Sequence, residues 1–395
     1  MARTKRLTAY HDNRVDYGII LVVLLLCLIG MVAVYATTVM IEGGNLRATL
    51  MHALWYAVGA IVVIVAMQFD SEQYWKLANY LYGFGLALLV LVLIFYDRET
   101  AAASGARSWF RLGSFSFQPS EVFKPAFIVF MAKTITQHND RYYNRSIKTD
   151  FILIGKMAMY SLPALILIQL QNDLGTNLVM MSIIAGMLFM SGINWRIIVP
   201  ALLFVVTVGG GLIYLAMFQE EWLYRIGFEP YQLQRIHSWL DPFGDTQGQA
   251  YQLSRSIMAI GSGGLVGKGI GVSEVNVPVR ESDFIFTTIA ENFGFIGAAI
   301  LLLIYFMLIY QMVQTCFETQ NEFYTYIATG VISMILFHIL ENIGMTIGLL
   351  PITGVPLPFI SQGGSALLSN LIGVGLILSM RYHHRSYMFA NASDF

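Results

Sequence analysis

Charge is scarce in this 395-residue chain. Only 12% of its residues are Asp, Glu, Lys or Arg, which excludes a water-soluble domain of ordinary composition. Cysteine is nearly absent: Cys27 falls inside the first apolar run and Cys316 in a stretch expected to be a loop, so no disulfide framework is implied. The sequence has no GxxxxGK[ST] phosphate loop, no zinc-spaced His/Cys pattern and no Gly-x-Ser-x-Gly elbow. ATP-driven and hydrolytic chemistry therefore lose their usual signatures, and neither a nucleotide cofactor nor a nucleic-acid partner is expected.

Apolar sequence takes their place. The chain is 56% hydrophobic with a mean hydropathy of +0.63, the composition of a polytopic membrane protein. With about 20 apolar residues per crossing, spans fall near 17–37, 51–68, 78–95, 119–136, 151–170, 176–192, 197–217, 286–312, 324–350 and 364–380. The fold class is all-α, with about ten transmembrane helices and one long external loop, 218–285, between helices 7 and 8. The first apolar run follows a basic start and resembles a secretory signal, but it is too long for a signal core and more spans follow, so it reads as a retained helix.

An even number of spans puts both termini on one side. Short loops on the terminal side carry eleven basic residues, among them Arg3, Lys5, Arg141 and Arg381, against Arg47, Arg98, Arg107 and Arg111 opposite. The positive-inside rule then makes the tails 1–16 and 381–395 cytoplasmic. Spans 17–217 precede the external loop and spans 286–380 follow it. In this topology the polar stretches FQPSE, QNDLGT, the long loop and PLPFISQGG all fall at the external ends of helices, where they would gather one site.

Each stretch admits a structural and a functional reading. Pro119 followed by Ser120 and Glu121 marks a helix start, and Lys124 stands three residues on from Glu121, on the same face. That pair is either a structural ion pair or a cation, with Arg107 and Arg111 nearby, that holds a phosphate. Asp173 is either the N-cap of the sixth span or a carboxylate facing an outer cavity. His338, Glu341 and Asn342 lie on nearby turns, and the prolines from Pro351 to Pro358 before Ser361 and Gln362 point to a re-entrant, non-helical segment. Six glycines fall between Gly261 and Gly271, backbone suited to tight turns and close approach. Lys268 lies within that run, and Arg280, Glu281 and Asp283 follow it at the rim of the eighth span.

Together GARSW, FQPSEVFK, QNDLGT, YQLSRS with GSGGLVGKGIG, VPVRESDFIF and NIGMTIGLLPITGVPLPFISQGGS resemble the SEDS family (shape, elongation, division and sporulation), most closely its RodA branch rather than FtsW. The resemblance runs in order from Asp16 to Arg381. It implies a ten-helix peptidoglycan glycosyltransferase of the bacterial plasma membrane, joining lipid II disaccharides during cell elongation and releasing undecaprenyl diphosphate. It implies as partners a class B penicillin-binding protein and other elongation-complex membrane proteins. The family's essential aspartate maps onto Asp283, its paired charges onto Glu121 and Lys124, and its second carboxylate onto Asp173. The sequence departs from the family pattern at Asn172, Glu281, Ser282 and Gln362, and Glu281 sets a second carboxylate near Asp283, where repulsion raises one of the two pKa values.

Glycosyl transfer of this kind needs a base for the attacking hydroxyl and positive charge on the departing phosphates. Asp283 is the candidate base, and the glycine-rich run before it would let backbone close around a sugar. Lys124, Arg107, Lys268 and Arg280 are candidates for the phosphates, alone or with Mg2+ or Mn2+, with Ser361 and Gln362 as further substrate contacts. Two rivals use the same residues: a lipid II flippase, and a scaffold that only positions the transpeptidase.

Overall fold

In the computed structural model, residues 15–42, 46–113, 115–225, 227, 230–244, 248, 250–319 and 321–390 are described. The helices α1 (Tyr17–Glu42), α2 (Arg47–Met67) and α3 (Ser71–Phe95) open the bundle. Asp70 starts α3 with a capping box, its carboxylate accepting from Gln73 N while the Gln73 side chain accepts from Asp70 N. The next connection holds structure the sequence reading did not expect: α4 (Arg98–Ser104), capped by Asp97 and stopped at Gly105 (φ 76°), then a hairpin of β1 (Phe110–Leu112) and β2 (Phe115–Phe117). The pairing is antiparallel, with Phe110 opposite Phe117.

The helix α5 (Pro119–Arg141) starts where its proline predicts, and α6 (Ile147–Leu170), α7 (Leu174–Met190) and α8 (Trp195–Phe218) follow, capped by Ser146, Asp173 and Asn194. The long connection folds into three short helices, α9 (Glu220–Arg225), α10 (Pro230–Leu240) and α11 (Tyr251–Ser262). Last come α12 (Ile285–Thr319), α13 (Glu322–Thr346) and α14 (Gly364–Ala390). Because α12 runs on to Thr319, Cys316 lies inside a helix and not in a loop.

Helices occupy all ten expected positions, and eight of them are long and apolar enough to cross a membrane. The exceptions are α7, which has 17 residues, and α5, whose Glu121, Lys124 and Lys133 lower its hydropathy. The chain is a multi-pass membrane protein. Burial sorts the helices: 72% of the most apolar window of α14 and 61% of that of α13 are buried, against none of that of α8. Thus α13 and α14 form the centre, while the most apolar stretch of α8 faces outward.

The glycine-rich run is not at the cavity described below. It packs on a break in α12, where Gly294 has φ 64° and ψ −162°. There Lys268 N donates to Glu291 O, Gly269 N to Asn292 O and Phe295 N to Gly264 O. A Cβ on Gly267 would lie 2.1 Å from Asn292 O, so the glycines serve backbone-to-backbone packing and do not close around a sugar.

A polar cavity and the segment that carries Asp283

Six helix ends converge on one cavity of about 640 Å³. The N-terminal ends of α2, α5, α7, α12 and α14 and the C-terminal end of α13 border it, as spans alternating in direction require. Four carboxylates line it (Glu121, Asp173, Glu281 and Asp283), along with the cations Lys124 and Arg235.

On the α5 side, Pro119 places Glu121 and Lys124 in the first turn and a half. Their side chains are buried and paired at 2.8 Å, and Lys124 Nζ also lies 3.2 Å from His338 Nε2. On α7, Asp173 performs both roles considered for it. It caps the helix through Thr176 N (3.0 Å), and it borders the cavity, accepting from Gln118 Nε2 at 2.6 Å.

Asp283 sits just before α12 on a segment whose backbone is clamped. The carbonyls of Glu281, Ser282 and Asp283 accept in turn from Gln362 N (2.9 Å), Ser361 Oγ (2.6 Å) and Asn342 Nδ2 (2.7 Å). The clamp is itself anchored. The non-helical stretch before α14 buries polar backbone, which must find partners within the protein: Asn342 Nδ2 also donates to Val355 O (2.8 Å), Tyr56 OH to Phe359 O (2.6 Å) and Tyr305 OH to Pro358 O (2.5 Å). Gly354, with φ 76°, lets the chain pass close to the catalytic candidate, since a Cβ there would lie 3.2 Å from Asp283 Oδ2. Burial pushes the Asp283 carboxyl up to about 6; a hydrogen bond from Ser282 acts against this, and repulsion from Glu281 adds to it. The repulsion expected from sequence is present, but desolvation is the larger cause.

Several expected substrate contacts are placed elsewhere. Lys268 and Arg280 do not line the cavity: both pair with the buried Glu291, Lys268 at 3.2 Å and Arg280 through its Nη2. Their charge is matched by a carboxylate away from the cavity, whereas the sequence reading sets them against the phosphates. Arg107 is exposed and lies over the Tyr96 ring, 5.5 Å from its centroid, outside the lining. Arg111 pairs with Glu99. Ser361 is spent on the clamp, whereas Gln362 borders the cavity.

The model of the FtsW/RodA/SpoVE family, described as cell cycle protein, matches residues 17–386. The chain belongs to this family, the SEDS peptidoglycan glycosyltransferases. Among its relatives, peptidoglycan glycosyltransferase MrdB of Escherichia coli K12 is 35% identical over 333 residues, covering 83% of this chain and 84% of MrdB. Stage V sporulation protein E of Bacillus subtilis is 32% identical over 379 residues, covering 94% and 98%. The probable peptidoglycan glycosyltransferase FtsW of Thiomicrospira cyclica is 32% identical over 397 residues, covering 98% and 95%. Of solved structures, the rod shape determining protein RodA of Thermus thermophilus superposes with a TM-score of 0.66 at 25% identity, covering 94% of this chain and 97% of that one. A chain of a peptidoglycan synthase complex that coordinates polymerization and crosslinking reaches 0.75 at 25% identity, covering 94% and 98%.

Within this SEDS chain, sequence reasoning missed three groups. Glu291 gathers Lys268, Arg280, Ser273 Oγ (3.2 Å) and Glu274 N (3.1 Å), so it ties the glycine-rich stretch and the approach to Asp283 onto α12. An acid six residues into an apolar run was the available signal. His52, buried on α2, borders the cavity and gives its Nε2 to Tyr56 OH (2.8 Å). Arg235 reaches the lining from α10, where a lone arginine in a polar loop carried no signal.

Proposed function

We propose that this SEDS glycosyltransferase polymerises lipid II at the outer face of the bacterial plasma membrane, with Asp283 as the base. The observation that carries this reading is the clamp. A carboxyl carried on a segment whose three consecutive carbonyls are hydrogen-bonded, at the wall of a polar cavity, is preorganised for proton transfer. The acceptor sugar's hydroxyl oxygen attacks the donor's anomeric carbon, and its proton passes to Asp283. The bond from that carbon to the diphosphate oxygen breaks, and the electron pair leaves with undecaprenyl diphosphate. N-termini of α5, α7, α12 and α14 at the cavity favour the anionic leaving group.

A resident metal does not fit the donors on hand. Among the described residues no three His, Cys, Asp or Glu side chains cluster to hold an ion, and Asp173 is engaged by Thr176 and Gln118. A divalent ion, Mg2+ or Mn2+, would arrive with the diphosphate, and no step above depends on it.

The elongation role is the branch we favour, because the sequence motifs resemble the RodA branch and the chain superposes on a rod shape determining protein over 94% of its length. The partner is then a class B penicillin-binding protein of the elongation complex, by analogy with the synthase complex that this chain resembles. A flippase would need polar groups along its whole path, whereas these line one end of the bundle. The test is glycan formation from purified lipid II by the purified chain and its transpeptidase. Polymer is expected, with rescue of rod shape in elongation-depleted cells; lipid II crossing vesicles without polymer would favour the flippase, and rescue of septation alone the division branch.

Orientation has its own test, since the basic asymmetry places both termini in the cytoplasm. A cysteine replacing the exposed Gly248 should be labelled by an impermeant reagent on intact spheroplasts; labelling only after lysis would reverse the topology.

A further inference from the structure

The cavity's charges do not match an anionic substrate until one residue is taken into account. Its lining holds four carboxylates, and one of its two cations, Lys124, is buried against Glu121 at 2.8 Å. Lys268 and Arg280, the other cations near Asp283 in sequence, are committed to Glu291. Arg235 is different. Its side chain is exposed, it borders the cavity, and its polar contact is Nη1 donating to Ile352 O at a long 3.4 Å.

The helix that presents Arg235 is held independently of it. Leu233 on α10 is buried with Leu223 of α9 and Ala216 of α8, and Trp239 Nε1 donates to Gly348 O at 3.0 Å. Arg235 is thus positioned by its neighbours, with its guanidinium left for a ligand. We propose that Arg235 is the cation that grips the diphosphate of the lipid-linked donor and stays on it as the leaving group departs. A guanidinium forks onto two phosphate oxygens, which suits a diphosphate better than a point charge does. It lines the same cavity as Asp283, so base and leaving-group cation come from different elements, α10 and the segment before α12. This inference rests on the glycosyltransferase reading above and adds the leaving-group contact to it.

The experiment uses the full chain in complex with its transpeptidase and two competitors of lipid II polymerisation, geranylgeranyl diphosphate and geranylgeraniol. Arg235→Gln should raise the inhibition constant of the diphosphate and the KM for lipid II by about tenfold or more, while inhibition by the alcohol and the melting temperature stay at wild-type values. Arg235→Lys keeps the charge but loses the fork, and should fall between the two. An unchanged diphosphate constant in both variants would overturn the proposal, as would equal weakening of diphosphate and alcohol, which marks Arg235 as a structural brace for Ile352. Wild-type protein that makes no polymer would instead remove the enzymatic reading, while the competitor binding measured by thermal shift would still report on Arg235.

Discussion

Asp283→Asn protein is expected to bind lipid II as the wild type does and to polymerise it roughly 10²- to 10⁴-fold more slowly, the usual contribution of a general base. The amide keeps the size of the carboxyl but accepts no proton. Because the carbonyls of residues 281–283 are held by Gln362, Ser361 and Asn342, the substitution leaves the segment in place. Stability supplies an independent sign. A carboxyl raised to about 6 in the folded chain binds more protons there than in the unfolded chain, so stability falls as pH rises through the window from about 4 to about 6. Ionised Asp283 then costs the fold about 3 kcal/mol at neutral pH. Asp283→Asn should therefore melt no lower than wild type at pH 7, and higher if the amide finds partners. A variant that melts lower and polymerises normally would make Asp283 structural, and Glu281 the next carboxylate to test.

The second large effect is expected at Glu291. Glu291→Ala leaves Arg280, whose side chain is 2% exposed, without its anion, and removes one of the two carboxylates on Lys268. Breaking a buried pair from one side costs about 3–5 kcal/mol. The loss is also local to function. Ser273 Oγ and Glu274 N lose their hydrogen bonds to Glu291, so the stretch leading to Asp283 comes off α12. Melting temperature and polymerisation should both fall, and limited proteolysis should cut first between 263 and 282. Wild-type melting and activity in Glu291→Ala would show that the glycine-rich packing alone holds this segment.

Much of this was legible in the sequence because the bilayer restricts the solutions. Helix positions followed from apolar run length, and the start of α5 from Pro119, since both depend on local composition. Glu121 and Lys124 were legible as a pair because a spacing of three puts them on one helix face. The partners of Lys268 and Arg280 were not: Glu291 lies 23 and 11 residues away, and the break at Gly294 on which the glycine-rich run packs shows in no period. The same limit applies to Ser361. Its contact is to a backbone carbonyl 79 residues distant, so its side chain type alone suggested a substrate contact. Arg235 stayed hidden for a related reason, because only the fold of α8, α9 and α10 brings an exposed loop arginine to the cavity.

The most direct measurement of the central claim is the pH dependence of kcat/KM for lipid II polymerisation by the wild-type complex. The base must be ionised to act, and burial holds Asp283 at about 6, so activity should be full at neutral pH and fall on the acid side with a midpoint near pH 6. An acid limb near pH 4, where an ordinary carboxylate titrates, would contradict the assignment of Asp283 as the base.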